Sequence, residues 1–345
     1  MSVADRLVEQ ASAPARRGGR WAWTAAAAVV LLVMAVLSIR FGSRDISTDD
    51  FFAALFGDRD ALAHAVVARR IPRTVLAMAV GAALAVSGLA MQAVTRNPLA
   101  DPGILGVNMG ASLAVVVGMA FFSLTTASSY VWTAIVGAAV TAVFVYAVGS
   151  MGRGGATPLK LALSGAAISA ALSSLVIATV LPRNDIAGSV RSWQIGGVGG
   201  GTWNSLRLIA PFLAVGFVVC WSTARSLNSL ALGDETASGL GEHVTRTRVV
   251  ASFGAVVLCG AATAIAGPIG FVGLVVPHVC RLLLGVDHRW TMPIAAVVGA
   301  ALLTASDIVG RVIAGDTEVE VGIITSLIGA PVFIYIVRRQ RIRSL

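Results

Sequence analysis

Few of the 345 residues are placed to do chemistry of their own. The four histidines, His64, His243, His278 and His288, have no metal-ligand spacing, and no HExxH pair is present. Cys220, Cys259 and Cys280 lack CxxC spacing and sit in or beside apolar segments. They read as small core residues, with neither a disulfide set nor a metal site indicated. The single lysine, Lys160, falls in Thr157-Pro158-Leu159-Lys160, and no GxxxxGK[ST] loop occurs, so the chain has no phosphate-cradling loop of its own. If ATP drives it, another subunit must bind the nucleotide. The acids fall between apolar stretches or at their ends, as Asp307 and Asp316 do. An ion-coupled carrier generally needs an ion site near the membrane midplane, so that class is disfavoured. What remains is arginine chemistry: planar, permanently charged forks suited to docking carboxylates.

The elements that must carry these arginines are membrane spans. The chain is 57% hydrophobic and 12% charged, against roughly 25% charged in soluble domains. An ordinary globular enzyme, a disordered tail and a fibrous protein are excluded, and a polytopic helical membrane protein remains. The net charge of +9 comes from arginines spread between apolar blocks, not clustered with aromatics, which points to topology and not to nucleic acid. Stretches free of Asp, Glu, Lys and Arg predict spans at 21–39, 74–95, two within 102–152 with a turn near Ser123–Ser129, 161–182, 208–224, a segment 249–280 broken at Gly267-Pro268 and Gly270, 290–306 and 321–337. The first is too long, and follows too polar a leader, to be a cleaved signal peptide. The count is nine or ten, and charge decides for ten: with an inside N-terminus the inner segments hold 16 basic residues against seven acids, and the C-terminal Arg338–Arg343 cluster is also inside. The expected layout is a cytoplasmic tail over 1–20, one permease domain over 21–337 with a cytoplasmic loop at 225–248, and a tail over 338–345. The spans are rich in Gly, Ala and Ser, which lets helices approach closely, whether for packing alone or around a path.

Several segments carry a resemblance. They are Arg70-Ile71-Pro72-Arg73; Met91-Gln92-Ala93-Val94-Thr95-Arg96-Asn97-Pro98-Leu99-Ala100-Asp101-Pro102-Gly103-Ile104-Leu105-Gly106; Leu230-Ala231-Leu232-Gly233-Asp234-Glu235-Thr236-Ala237-Ser238-Gly239-Leu240-Gly241; Gly267-Pro268-Ile269-Gly270-Phe271 through Pro277-His278 and Arg281; and Gly329-Ala330-Pro331-Val332-Phe333. Over about residues 21–340 the chain resembles the FecCD-family permeases of type II ABC importers for iron–siderophores, haem and vitamin B12. The resemblance implies an all-α fold of ten transmembrane helices, with helices 2–5 and 7–10 as inverted pseudo-repeats. It implies a multi-pass protein of the bacterial cytoplasmic membrane with both termini inside. The implied partners are a second permease subunit, identical or paralogous, two ATPase subunits that hold ATP and Mg, an extracytoplasmic substrate-binding protein, and membrane lipid. The chain itself is implied to be no enzyme and to bind no cofactor. A ferric siderophore is the expected substrate, with haem or cobalamin as alternatives; an ion-coupled carrier and a non-transporting scaffold are the readings outside this class.

The resemblance also implies roles. Ala231, Gly233, Ala237, Gly239, Leu240 and Gly241 would form the coupling helix that seats in the ATPase, the alternative being a plain surface turn. Asp234 and Glu235 suit the dipole at that helix's start. Arg70, Arg73 and Arg311, with Arg69 beside them, would pair on the outer face with glutamates of the binding protein, or merely snorkel at helix ends. Ser164, Ser169 and Ser173 would line the path or bond between helices. Asn97-Pro98-Leu99-Ala100-Asp101-Pro102 reads as a structural inner loop, and Pro277-His278 and Arg281 as a helix end with cations favourable to its dipole. The family's gate does not match cleanly at Thr157-Pro158-Leu159. Glu320 stands where the family usually has proline.

Overall fold

A computed structural model describes residues 17–42, 62–152, 157–313 and 318–341. Most of both expected tails, and Asp316, lie outside them. Among the described residues there are thirteen α-helices, one 3-10 turn and no strand. Ten are membrane-type: α1 (Arg17–Arg40), α2 (Leu62–Thr95), α3 (Val107–Phe122), α4 (Ala127–Ser150), α5 (Pro158–Val180), α7 (Trp203–Ser222), α10 (Val244–Ala266), α11 (Val272–Leu284), α12 (His288–Ile313) and α13 (Val321–Arg341). Seven of these contain segments long and apolar enough to cross a membrane, and α3, α11 and α13 contribute shorter apolar ones. Three short helices join them: α6 (Asn184–Ile195), α8 (Ala224–Leu230) and α9 (Asp234–Gly239). The break at Gly267–Gly270 and the turn at Ser123–Thr126 stand where expected.

Helices α2 and α10 form the centre, and α12, α11, α7 and α4 pack around them. Most of α2 is buried, whereas α1 and α5 leave most of their surface uncovered. Small residues set the crossings. A Cβ on Gly81 would strike the Gly299 backbone, and one on Gly88 would strike Gly273, so α2 touches α12 and α11 backbone to backbone.

Helix α3, at 16 residues, and α11, at 13, rise about 24 and 20 Å. Each falls short of a hydrocarbon core of about 30 Å, and irregular backbone precedes each. Such backbone is tolerated at depth only inside protein. Ala100, Leu105, Ala266 and Ile269 are accordingly buried, and Gly197 N–H closes the Ala266 carbonyl at 2.8 Å. A long helix followed by a broken entry and a short helix thus occurs twice, as α2–α3 and α10–α11. An odd number of crossings separates the two copies, so they run in opposite directions, as inverted repeats require.

Several helices overrun the spans expected from charge-free stretches. Helix α2 begins at Leu62 instead of 74, and α12 runs to Ile313 instead of 306. At 34 residues α2 is about 51 Å long. The overrun brings Arg70, Arg73, Asp307 and Arg311 into helices, where Asp307 pairs with Arg73 and Arg311.

Candidate functional site

The two ends of α2 each carry an ion network. At one end, Arg73 donates from Nε and Nη2 to Asp307 Oδ1, at 3.1 and 2.8 Å, and from Nη1 to Glu318 Oε2 at 2.7 Å. Asp307 Oδ2 lies 3.0 Å from Arg311 Nη2, an ion contact without hydrogen-bond alignment. The Asp307 side chain is fully buried and that of Arg311 is 2% exposed.

Arg311 and Arg70 also close the end of α1. The last four carbonyls of a helix lack intrahelical partners, and here all four are satisfied. Leu37 accepts from Phe41 N–H at 2.8 Å, Ser38 from Arg311 Nη1 at 3.0 Å, and Ile39 and Arg40 from Arg70 Nη1 at 3.1 and 2.9 Å. Arg311 Nη1 reaches Phe41 O as well, at 3.0 Å. Thr74 Oγ1 donates to Arg70 O at 2.8 Å, so the 2.7 Å contact between Ser38 and Thr74 is donated by Ser38. Ser38 Oγ is then free to accept from Arg311 Nη2 at 2.8 Å. Positive charge at a helix C-terminus is favourable in addition.

This corrects the expected presentation of Arg70, Arg73 and Arg311. They sit together at one face, but the Arg70 and Arg311 guanidiniums are turned inward as caps, and Arg73 is ion-paired within the chain. The physical reason is that the terminal carbonyls of α1 need donors, and the guanidiniums of Arg70 and Arg311 lie within reach of them. Arg69 is exposed on the same face.

At the other end, Arg96 closes α2 in a left-handed conformation, φ 50°. Its guanidinium contacts Asp234 at the start of α9, and Arg248 Nη2 bonds both Asp234 oxygens at 3.0 Å. These side chains are 38, 46 and 22% exposed for Arg96, Asp234 and Arg248. Asp234 therefore serves as a tie to α2 and α10 in addition to any effect on its own short helix.

The loop carrying Asp234 folds as two short helices, α8 and α9. Gly233 and Gly241 bracket α9 with φ of 112° and 85°. Ala231, Gly239, Leu240 and Gly241 are exposed and Gly233 is half-buried. Ala237 is fully buried, so its methyl anchors α9 to the protein and is not presented outward. Leu232 and Leu240, 63 and 64% exposed, are the apolar tips, and a hollow of about 930 Å³ lies beside them, lined by Ser238, His243, Arg246 and Val250 among others.

Ser164 Oγ returns to its own helix, donating to Lys160 O at 2.5 Å, while Ser169 and Ser173 are half-buried. The inner loop is structural as expected: Asp101 caps the 3-10 turn Pro102–Leu105 by accepting Gly103 N–H at 2.8 Å, and Asn97 accepts Leu99 N–H at 2.9 Å. Burial lifts the Asp101 pKa, with the Gly103 hydrogen bond acting the other way. Arg281 bonds Gln92 Oε1, and Gln92 Nε2 donates to Gly273 O at 3.0 Å, so Arg281 also braces α2 against α11.

With this geometry in hand, comparison with known proteins is decisive. The sequence profile of the FecCD transport family matches residues 30–339. The chain belongs to the FecCD transport family. The iron(3+)-hydroxamate import system permease protein FhuB of Bacillus subtilis (strain 168) is 42% identical over 314 residues, 90% of this chain and 82% of that one. The hemin transport system permease protein HmuU of Yersinia pestis is 36% identical over 320 residues, 91% of this chain and 94% of that one. A solved structure, an inward-facing conformation of a metal-chelate type ABC transporter, superposes with a TM-score of 0.81 at 27% identity, covering 92% of this chain and 99% of its own.

Sequence reasoning missed three features of this FecCD permease. Asp307 was placed at a span end and is a buried counter-ion inside α12; its i,i+4 spacing to Arg311 was the available signal. Ser38 gave no signal, since its partners are 36 and 273 residues away. Asn228, which donates to Asp287 at 2.7 Å and receives His288 N–H at 2.9 Å, likewise joins α8 to α12 without a local pattern.

Proposed function

We propose that this chain is the permease subunit of an ATP-driven importer that moves a ferric siderophore by alternating access, with ATP and Mg bound by two separate ATPase subunits. The observation that carries this reading is similarity at 42% identity, over nine-tenths of the chain, to a permease named for iron–hydroxamate import. Two structural features support it. Leu232 and Leu240 make an exposed apolar tip, and the Arg96–Asp234 pair ties the loop that carries it to the longest described helix of the bundle. The excess of basic residues assigns the Arg96 face and both termini to the cytoplasm. The opposite face then receives the binding protein, through Arg69 and the exposed Glu318 edge of the Arg73 pair, while Arg70 and Arg311 hold α1 in place beneath. A second permease subunit covers the largely open α5. Asp307 does not serve as a coupling-ion site, because two guanidiniums already neutralise it.

Uptake of radioiron–siderophore in iron-starved cells, with and without this gene, tests the reading. Loss that the gene restores, and that also requires an ATPase subunit, supports it. Haem is the second reading, favoured by the 36% identical hemin permease. Haem and labelled cobalamin uptake run in parallel, and loss of either alone would keep the mechanism and change the substrate.

A further inference from the structure

One pocket of this permease carries an acidic side chain that forms no ion pair among the described residues. A cavity of about 650 Å³ opens at the Arg73 face, lined by Tyr130, Ser189, Ser192, Trp193, Gly197 and Glu320 among others. All of these residues lie in elements that end on that face: the start of α4, helix α6, the glycine turn after it and the residue before α13. The volume is that of a small-molecule site.

Among the described lining residues Glu320 is the one carboxylate. The carboxylate lies directly against Gly197, where any Cβ would overlap it, so the missing side chain makes its seat. The neighbouring cations are already engaged. Arg73 spends its donors on Asp307 and Glu318, and Arg311 spends its own on Asp307 and the end of α1. Among the described residues Glu320 makes no ion pair, and its carboxylate borders the cavity. Arg191 of α6 is exposed and outside the lining. Burial raises the Glu320 pKa, Arg73 pulls it back, and Glu318 and Asp307 add to the rise. An ionised carboxylate held in that way is relieved by a cation entering the pocket. Hydroxyls of Ser189 and Ser192 and the face of Trp193 would complete the contacts of an ammonium or guanidinium.

We propose that this pocket is a cation subsite, in which Glu320 receives a positively charged group carried by the incoming chelate, so that the permease favours cationic over neutral chelates. This rests on the reading of the chain as a chelate importer.

The test uses the complete transporter in proteoliposomes and a matched pair of probes: a ferric trihydroxamate with a pendant primary ammonium, and the same chelate N-acetylated. We expect Glu320→Gln to raise the KM for the cationic chelate about tenfold, with the acetylated one changed less than twofold and Glu320→Asp retaining the preference. Equal loss for both chelates, which a purely structural role before α13 would give, overturns the proposal, as does no change for either. If wild type accumulates neither, the import reading is what fails. Quenching of Trp193 fluorescence by the two chelates on the purified complex, identified by a Trp193→Phe control, then reads the pocket directly. Charge-selective quenching lost in Glu320→Gln supports the subsite, and quenching indifferent to charge or to Glu320 overturns it.

Discussion

Helix α2 is anchored by charge at both ends, yet the two anchors are built on opposite principles. At the Arg73 end, Asp307 is sealed between the guanidiniums of Arg73 and Arg311, and Arg311 together with Arg70 closes the carbonyls of α1. At the Arg96 end, Asp234 is held by two arginines as well, but Asp234 and Arg96 are exposed in large part and Arg248 is half-buried. A buried pair costs several kcal/mol to break because an orphaned charge stays behind in low dielectric. An exposed pair contributes about 0–1 kcal/mol, since water replaces whatever partner leaves. The first end is therefore fixed and joins α1, α2 and α12 into one body. The second is readily made and unmade, which suits the proposed role of that loop as a contact to a moving ATPase. Between them, the glycine contacts at 81/299 and 88/273 leave little room for α2 to slide.

The comparison breaks most clearly at Asp307. Asp307→Asn removes the anion from between Arg73 and Arg311 and leaves two buried cations facing each other. A loss of about 3–5 kcal/mol is expected, seen as a large fall in the melting temperature of the detergent-purified protein and in its membrane abundance. A change below about 1 kcal/mol would show that water reaches this network and that the two ends are alike.

Asp101 sharpens the contrast, because it is a carboxylate near the inner end of α2 that makes no ion pair among the described residues and accepts the Gly103 N–H. Burial raises its folded-state pKa. A carboxyl raised in this way binds its proton more tightly when folded, so its stabilising contribution is present at low pH and is lost as pH rises through the folded pKa. Asp101→Asn keeps an oxygen for the cap and abolishes that slope: melting temperatures measured from pH 4 to 8 should converge with wild type at the acid end and exceed it at the alkaline end. Asp101→Ala removes the same slope but also loses the cap, and should lie about 1–2 kcal/mol below Asp101→Asn at every pH.

These two carboxylates also mark how far the sequence was readable. Span positions, the turn at Ser123–Thr126, the break at Gly267–Gly270 and the capping loop at 97–102 follow from local patterns of apolarity, glycine and proline. The site at the Arg73 face does not. Charge was taken as the edge of each span, whereas α2 and α12 run through their charges because those charges neutralise across the bundle. The cap on α1 depends on guanidiniums 30 and 273 residues away in sequence, which no local window holds. On the coupling loop, composition indicated an apolar partner-facing surface, but only the fold shows Ala237 turned inward and Leu232 and Leu240 turned out.

Those leucines give the next smaller effect on the protein itself. Leu240→Asp alters an exposed side chain that touches little of its own chain, so stability should move by no more than about 0.5 kcal/mol. Co-purification of the ATPase subunits should nevertheless fall at least tenfold. Gly241→Arg is a poorer probe, because Gly241 adopts φ 85° and any side chain there is strained. Normal ATPase association in Leu240→Asp would remove the coupling role from this tip and, with it, the reason for the second anchor to be loose.

The smallest expected effect on stability lies at Arg96, and it is the finest test of the comparison. Arg96→Gly removes one of two arginines on Asp234, a loss of about 0–1 kcal/mol for exposed groups. It also relieves an L-residue held at φ 50°, a gain of about 1 kcal/mol. The two terms offset, so the melting temperature should stay within about 2 °C of wild type. Arg96→Ala loses the same pair without that relief and should fall slightly below it. Neither residue can tie α2 to α9, however, so in both variants ATPase activity should respond less to the substrate-loaded binding protein while basal hydrolysis persists. If stimulation stays intact in both, Arg248 alone holds Asp234, and motion at the coupling loop reaches the bundle through α10 and not through α2.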